Sequence, residues 1–185
     1  MKWSACVKSA LIYGSCTGRT WHVAEIVVEA LKPEIELEFI DVNKVGASDL
    51  NNWDFIICAI PTWDVGELEY GWSDVYDDLD GVELTNTVAM IGVGDQCSYA
   101  DTYQDAMGIL YKKLLECGAN GGVAFTSTET HEFEESLGVI DGKFCGLAID
   151  EDTQDDLTEP RIKEWAELLK KEWPAIVERH EQSVG

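Results

Sequence analysis

The chain has 185 residues, 45% of them hydrophobic, and carries a formal net charge of −23 at pH 7. This length and composition predict one soluble globular domain over residues 1–185 and exclude a disordered chain. The negative charge disfavours nucleic acid as a partner, and no apolar run approaches the roughly 18 to 20 residues of a membrane span. Because no basic region followed by an apolar secretory core begins the chain, we expect a cytoplasmic protein that does not insert into membranes.

Short apolar runs alternate with amphipathic stretches along the chain. The apolar runs predict strands over residues 9–13, 36–42, 55–60, 87–93, 122–125 and 144–149, and the amphipathic stretches predict helices over residues 20–31, 71–79, 101–117 and 160–173. The run 55–60 is apolar on both faces, as central strands of a parallel sheet are when helices cover both sides. The alternation predicts a doubly wound α/β sheet.

The two ends of the chain carry fewer structural signals. Residues 1–8 precede the first predicted strand as an N-terminal extension. Thr158 is expected to cap the last helix, and Pro174, which lacks a backbone N–H, to end or kink it, leaving residues 174–185 as a frayed tail or a short extra helix. The six cysteines include no C-x-x-C pair and no zinc-type cluster with histidine, so we predict reduced thiols and no metal site.

A hydroxyl-rich loop, Gly14-Ser15-Cys16-Thr17-Gly18-Arg19-Thr20, separates the first predicted strand from the first predicted helix. Backbone N–H groups at a helix start are unpaired and lie in a positive dipole potential, which suits them to hold a phosphate. The hydroxyls of Ser15, Thr17 and Thr20 can each donate to an anionic oxygen. On so acidic a chain a phosphate site must depend on dipoles and hydroxyls, which points to a bound mononucleotide.

The spacing of this loop excludes two common nucleotide sites. A nucleotide-hydrolase P-loop needs four residues between its glycines and then Lys-Ser/Thr, whereas three residues separate Gly14 from Gly18 and Arg19-Thr20 follows. The dinucleotide fingerprint is missing as well, because Gly92-Val93-Gly94 continues without a third glycine. Taken alone, the loop is equally well explained as a capped strand-to-helix turn, so the other loops must decide.

Two further loops leave the third and fourth predicted strands, where ligands of open α/β sheets bind. The first, Pro61-Thr62-Trp63-Asp64-Val65-Gly66-Glu67-Leu68, places a tryptophan in a turn, and the second, Gly94-Asp95-Gln96-Cys97-Ser98-Tyr99-Ala100-Asp101, contains a tyrosine. Each ring taken singly is explained by packing, but two rings from two loops can sandwich a flat heteroaromatic group, each contact contributing about 0.5 to 1.5 kcal/mol beyond area burial. A phosphate loop and such a slot together predict FMN.

The three loops together resemble those of a flavodoxin. The similarity continues in Asp141-Gly142-Lys143-Phe144 and in Gly146-Leu147-Ala148-Ile149-Asp150-Glu151-Asp152, which resemble the long-chain members of that family. It extends from about residue 9 to residue 173. The resemblance implies a flavodoxin-like doubly wound five-stranded parallel sheet of order 2-1-3-4-5, with helices on both faces and an insertion in the fifth strand.

The resemblance also implies a function and a set of cofactor-binding residues. Flavodoxins are low-potential one-electron carriers with noncovalently bound FMN and no substrate turnover of their own. By resemblance, Ser15, Thr17 and Thr20 hold the phosphate, Trp63 and Tyr99 cover the two flavin faces, and Asp152 lies near the ribityl chain. The full predicted set is Ser15, Cys16, Thr17, Gly18, Arg19, Thr20, Pro61, Thr62, Trp63, Asp64, Val65, Gly66, Gly94, Asp95, Gln96, Tyr99, Asp101 and Asp152.

Acidic residues are concentrated in two runs near these loops. Residues 64–83 contain carboxylates without any Lys or Arg, and residues 129–159 contain one cation, Lys143. Such runs are usually solvated faces, but beside binding loops they favour basic partners. The resemblance implies, as partners of a monomer, the basic surfaces of redox proteins such as ferredoxin-NADP reductase, photosystem I or a pyruvate oxidoreductase.

Asp64 departs from the family pattern. It occupies the position whose carbonyl, in flavodoxins, turns toward flavin N5 when the semiquinone forms, and Asn or Gly is commoner there because both adopt positive φ more readily. We expect Asp64 to weaken semiquinone stabilisation, so Asp64→Gly should raise the semiquinone yield in a dithionite titration. An unchanged yield would count against this hypothesis.

Two other functions stay open on the sequence alone. A flavodoxin-like NAD(P)H:quinone reductase needs space for a nicotinamide above the flavin, which Trp63 and Tyr99 are expected to close, and it would oxidise NADPH steadily. A phospho-receiver domain of the same topology needs carboxylates after the first strand, where this chain has Ser15, and such a protein would purify colourless.

Overall fold

A parallel sheet forms the centre of the fold. The computed structural model describes residues 7–184, so the first six residues of the predicted N-terminal extension and residue 185 lie outside the described part. The strands are β1 (Ser9–Tyr13), β2 (Glu38–Asp41), β3 (Phe55–Trp63), β4 (Glu67–Leu68), β5 (Thr87–Val93), β6 (Thr126–Ser127), β7 (Val139–Ile140), β8 (Lys143–Phe144) and β9 (Leu147–Ile149). Parallel pairing follows the order β2-β1-β3-β5-β9, which confirms the predicted order 2-1-3-4-5 when the parallel strands are counted along the chain.

Helices cover both faces of this sheet. Within residues 7–184 the α-helices are α1 (Arg19–Leu31), α2 (Tyr70–Asp77), α3 (Asp105–Glu116) and α4 (Thr158–Val184), and short 3-10 helices lie at 42–44, 47–52, 100–102 and 155–157. The predicted start of the third helix at residue 101 is too early, because a 3-10 helix over residues 100–102 and a turn over residues 103–104 precede α3. None of the helices in the described part is long and apolar enough to cross a bilayer.

Strand β3 is central because its side chains enter two separate apolar cores. Ile56, Cys58 and Ile60 are fully buried in the core on the side of α2 and α3. Phe55 and Ile57 are fully buried in the core on the side of α1 and α4. Full burial of an Ile or Phe side chain contributes about 1.5 to 3 kcal/mol. This packing fixes the strand positions, and with them the loops at the carboxyl edge of the sheet.

The fifth parallel strand is interrupted. Asn120 forms an isolated parallel bridge with Thr87 at the start of β5, and β9 pairs with the end of β5. Between these points the chain forms a small antiparallel sheet of order β6-β8-β7, so the predicted strand over residues 144–149 is divided between β8 and β9. An insertion in the fifth strand would have this geometry, and membership of the long-chain class stays a prediction.

The predicted strand over residues 122–125 is wrong. Gly122 and Ala124 adopt left-handed φ values of 78° and 50°, which a regular strand does not contain. The Ala124 N–H donates to Glu172 Oε2 at 2.7 Å, and the Ala124 carbonyl accepts from Trp165 Nε1 at 2.9 Å. Two side chains of α4 therefore satisfy backbone groups that a strand would have paired with its neighbour.

Helix α4 continues through Pro174, so the predicted frayed tail after that residue is wrong. Ile176 is buried against the core, and His180 Nδ1 lies 3.4 Å from Asp54 Oδ1 at the amino end of β3. These contacts stabilise the last turns and outweigh the backbone hydrogen bond that proline removes. Thr158 is the first residue of α4 rather than its N-cap.

Candidate functional site

The loops that follow β1, β3 and β5 open into one cleft of about 290 Å³ at the carboxyl edge of the sheet. A doubly wound sheet places its ligand sites at this edge. The lining residues are Cys16, Thr17, Arg19, Thr20, Pro61, Thr62, Trp63, Val93, Gly94, Asp95, Tyr99 and Asp152. All of these except Val93, the last residue of β5, belong to the cofactor-binding set predicted from the sequence. The fold thus brings together residues from four distant segments of the chain.

The loop of residues 14–20, here called the phosphate loop, leads directly into α1. Gly14 N–H donates to the Ala59 carbonyl at 3.0 Å, and the Ser15 hydroxyl accepts from Gly18 N–H at 3.1 Å. Gly18 is the N-cap of α1 with a φ of 88°, and no side chain caps the helix at this residue. The first-turn N–H groups therefore lack a capping side chain, as an anion site at a helix start requires.

Charge in the cleft is nearly balanced. Among the described residues that line it, Arg19 is the single cation, and its guanidinium forms an ion pair with the Asp152 carboxylate. Because Asp152 offsets the charge of Arg19, an anion bound here must be held mainly by hydroxyls and backbone N–H groups. The side chains of Thr17 and Thr20, which also line the cleft, can supply such donors.

Trp63 lies at the end of β3, where the chain turns back into β4. Antiparallel pairing of β3 with β4 closes a hairpin, and its turn contains Asp64 at a φ of 40° and Gly66 at 82°. The indole of Trp63 makes an edge contact with Tyr70, with ring centroids 5.5 Å apart. The hairpin and this contact hold the Trp63 ring beside the cleft.

Tyr99 is held by a hydrogen-bonded turn built on Asp95. The Asp95 carboxylate accepts from Cys97 N–H at 2.9 Å and from Ser98 N–H at 2.8 Å, and the Asp95 carbonyl accepts from Tyr99 N–H at 3.1 Å. Burial opposes ionisation of Asp95, but hydrogen bonds from Ser98 and Cys97 and the charge of Arg19 prevail and lower its pKa. The Tyr99 side chain is 45% exposed, so its ring is accessible from the cleft.

Asp150, which is fully buried, fastens the Tyr99 turn to the segment after β9. Its carboxylate accepts from the N–H groups of Gln96 at 3.1 Å, Asp152 at 2.9 Å and Thr153 at 2.8 Å, and from the Thr153 hydroxyl at 2.5 Å. The Asp150 carboxylate therefore positions both the Tyr99 turn and Asp152, the residue that forms the ion pair with Arg19. Asp150 is not among the site residues predicted from the sequence, because the contact that ties it to the Tyr99 turn comes from Gln96, 54 positions away.

Some predicted site residues lie beside the cleft rather than in its lining: Ser15, Gly18, Asp64, Val65, Gly66, Gln96 and Asp101. Val65 is 76% exposed at the hairpin turn, and Gly66 packs so closely on Asp105 that an added Cβ would lie 2.9 Å from Oδ2. The Gln96 side chain is buried, and its Oε1 accepts from Glu132 N–H at 2.6 Å. Asp101 lines a separate groove. A cofactor contact by any of these residues stays a prediction.

The left-handed φ of Asp64 gives its predicted redox effect a structural basis. Glycine adopts this conformation without strain, so we expect Asp64→Gly to raise the yield of the one-electron-reduced form in the dithionite titration. Asp64→Ala is the matched variant, because it removes the charge but keeps a Cβ, and with it the backbone strain, at the same φ. An increase with Ala as large as that with Gly would assign the effect to charge rather than to backbone strain.

His131 gives the fold a predictable dependence on pH. Its Nε2 lies 3.2 Å from the Ala148 carbonyl, and burial, aided by the positive charge of Arg161, lowers its pKa to about 4. Between about pH 6.5 and pH 4 the unfolded chain binds a proton here that the folded chain does not, so stability is lost as the pH falls through this window. Allowing for partial exposure of the ring, the loss amounts to about 2 kcal/mol.

Urea unfolding at pH 7 and at pH 5 measures this dependence. We expect His131→Gln to become less sensitive to acid than the unaltered protein, whereas His22→Gln, at an exposed position on α1, keeps the original sensitivity. Equal acid sensitivity in both variants would contradict the assignment to His131.

Taken together, the fold and the cleft define a doubly wound α/β protein with a hydroxyl-rich loop at an uncapped helix start and two aromatic rings at one sheet edge. The sequence model of the Flavodoxin family matches residues 11–165, and the chain belongs to this family. It is 44% identical over 167 residues to the flavodoxin of Synechococcus elongatus, covering 90% of this chain and 98% of that one. It is 42% identical over 167 residues to a flavodoxin of Nostoc sp., covering 90% and 97%.

A similar solved structure is that of the Fusobacterium nucleatum flavodoxin bound to flavin mononucleotide. The two chains are 29% identical, with a TM-score of 0.82, and the match covers 90% of this chain and 98% of that one. The structural match therefore extends over almost the whole fold.

Proposed function

We propose that this chain binds FMN noncovalently and carries single electrons at low potential between redox proteins. The observation that carries the proposal is the convergence of the phosphate loop, Trp63 and Tyr99 on one cleft of a flavodoxin fold. Bound FMN supplies reversible one-electron chemistry, which no side chain in the cleft provides. The FMN-bound flavodoxin of Fusobacterium nucleatum, a protein of the same fold, supports the choice of cofactor.

The donors of the phosphate loop suit the phosphate end of FMN. The hydroxyls of Ser15, Thr17 and Thr20 and the first-turn N–H groups of α1 would hold the anionic oxygens. These donors are dipoles without net charge. Because Asp152 offsets the charge of Arg19, no uncompensated positive charge in the cleft lining adds to them. The site therefore holds an anion without making the rest of the cleft cationic.

The two rings suit the flat end of FMN. Trp63 and Tyr99 line the same cleft from different loops, and stacking on each would orient a planar ring system and exclude water from its faces. The turns around Asp64 and Asp95 bring backbone groups to the rim of the cleft, where they can donate to or accept from polar atoms at a ring edge.

Carboxylates near the cleft favour a low potential. A unit negative charge at ~10 Å in a water-like dielectric opposes the addition of an electron by about 0.4 kcal/mol, which is roughly 18 mV for a one-electron couple. Asp95 lines the cleft and Asp64 lies in the hairpin turn beside it, whereas Arg19 offsets the charge of Asp152, so the contributions of Asp95 and Asp64 act together. The electron carried by this protein would accordingly be strongly reducing.

The acidic surface beside the cleft favours basic partners. The exposed residues Asp101, Glu134 and Glu135 line one groove next to the Tyr99 turn. This charge would attract basic surfaces of redox proteins, such as ferredoxin-NADP reductase, photosystem I or a pyruvate oxidoreductase, and would speed their encounter at low salt. We propose that the protein acts as a cytoplasmic monomer and has no substrate turnover of its own.

Flavin uptake by the purified protein tests this function. We expect a flavin absorption spectrum, stoichiometric uptake of FMN by the apoprotein, and stepwise reduction by dithionite. Failure of the native apoprotein to bind FMN in excess would overturn the cofactor assignment. Steady NADPH oxidation by the purified protein alone would instead support a quinone reductase.

A further inference from the structure

Glu69 is a buried carboxylate directly behind the phosphate loop. It is 2% exposed and caps α2, where its Oε2 accepts from Trp72 N–H at 3.3 Å. Its Oε1 accepts from the Cys16 thiol at 3.5 Å, and a Cβ added to Gly14 would overlap Oε2. The carboxylate therefore contacts the first and the third residue of the loop, and Cys16 is also one of the residues that line the cleft.

In the part of the chain that the structure describes, no cation forms an ion pair with the negative charge of Glu69. Arg19, the cation of the phosphate loop, pairs with Asp152. Burial, together with the hydrogen bond to Glu69 and the charge of Glu69, raises the pKa of Cys16, so this thiol stays protonated and donates. Two hydrogen bonds thus satisfy the oxygens of Glu69 but leave its charge unneutralised.

A buried charge acts on its surroundings with little screening by salt. We propose that Glu69 is an affinity-setting residue of the phosphate loop, and that its charge, acting from behind Gly14 and Cys16, weakens the binding of the FMN phosphate. The inference rests on the function proposed above and adds a residue outside the predicted cofactor set. The loop donors attract the phosphate and Glu69 opposes them, so the net affinity is the difference between the two.

Three ligands separate the effect of charge from an effect of shape. Inorganic phosphate and FMN both carry the anion, whereas riboflavin has the same ring system without it. For the Glu69→Gln apoprotein we expect the dissociation constants of phosphate and FMN to fall about tenfold, because a unit charge a few ångströms behind the loop has been removed. The dissociation constant of riboflavin should not change.

Glu67→Gln is the matched control. Glu67 lies two positions away and is exposed, so its substitution changes the net charge equally. We expect a smaller effect on phosphate binding, one that disappears in about 0.5 M salt, whereas the effect of Glu69→Gln persists. Glu69→Ser, which keeps a side chain able to cap α2, should tighten phosphate binding as Glu69→Gln does and covers the case in which the glutamine variant fails to fold.

The outcomes distinguish this inference from the proposed function. Absence of FMN binding by the unaltered apoprotein would overturn the proposed function. If the unaltered protein binds FMN and both Glu69 variants bind phosphate no more tightly, the role of Glu69 alone is overturned. An equal change for riboflavin would also overturn it, because that result would show an effect on loop packing rather than on the anion.

Discussion

Asp150→Asn is expected to weaken FMN binding about a hundredfold and to lower the free energy of unfolding by about 3 kcal/mol. The Asp150 carboxylate accepts hydrogen bonds from Gln96, Asp152 and Thr153 while fully buried. An amide of the same shape turns an N–H₂ group toward some of these donors, which leaves buried donors without an acceptor. The Tyr99 turn and the Asp152 segment should then lose their fixed positions.

Two measurements follow the two parts of this prediction. Fluorescence titration of the apoprotein with FMN gives the affinity, and urea unfolding of the apoprotein gives the stability. Asp155→Asn is the control, because Asp155 is exposed in the same segment and its substitution should change stability by less than about 0.5 kcal/mol. An Asp150→Asn protein with unaltered FMN affinity would show that the buried carboxylate does not position the cleft.

Local sequence patterns were enough to predict the parallel sheet. Residues 55–60 are apolar on both faces, and the structure buries them in two cores as the central strand. The glycines and prolines of the three loops mark where the chain turns, and turns after parallel strands share one edge of the sheet. The strand ends and loop chemistry therefore predicted the places of Thr17, Thr20, Trp63 and Tyr99 in the cleft, whereas Asp152 was named only through the resemblance to flavodoxins.

Long-range contacts decide the features that the sequence did not reveal. The path at Ala124 is set by Trp165 and Glu172, and the continuation of α4 beyond Pro174 depends on the burial of Ile176. None of these pairings leaves a local pattern. Local propensity predicts that Pro174 ends the last helix and that residues 122–125 form a strand. Tertiary packing overrides both propensities.

The buried carboxylates illustrate the same limit at the site itself. Glu69 and Asp150 stand in acidic runs whose usual interpretation is a solvated face. Each accepts local hydrogen bonds and one from a distant loop: the Cys16 thiol donates to Glu69, and Gln96 N–H donates to Asp150. The sequence shows the carboxylates and the donors separately, and only the fold shows that they meet.

Trp63→Ala is expected to weaken FMN binding about a hundredfold, because it removes both the stacking contact and the buried area of an indole. Tyr99→Ala should have a smaller effect, since a phenol ring offers a smaller stacking surface than an indole. Neither substitution alters the donors of the phosphate loop. Inorganic phosphate should therefore bind both variants as it binds the unaltered apoprotein, which calorimetric titration measures.

Trp21→Ala is the matched control for the loss of an indole. Trp21 is 40% exposed on α1 and is not among the residues that line the cleft, so its removal should leave FMN affinity nearly unchanged. If the Trp63→Ala substitution lowered the phosphate affinity by the same factor as the FMN affinity, the result would show a disturbed phosphate loop rather than a lost ring contact. Unchanged FMN affinity in Trp63→Ala would mean that the indole does not cover the flavin, and the assignment of the two rings would have to be abandoned.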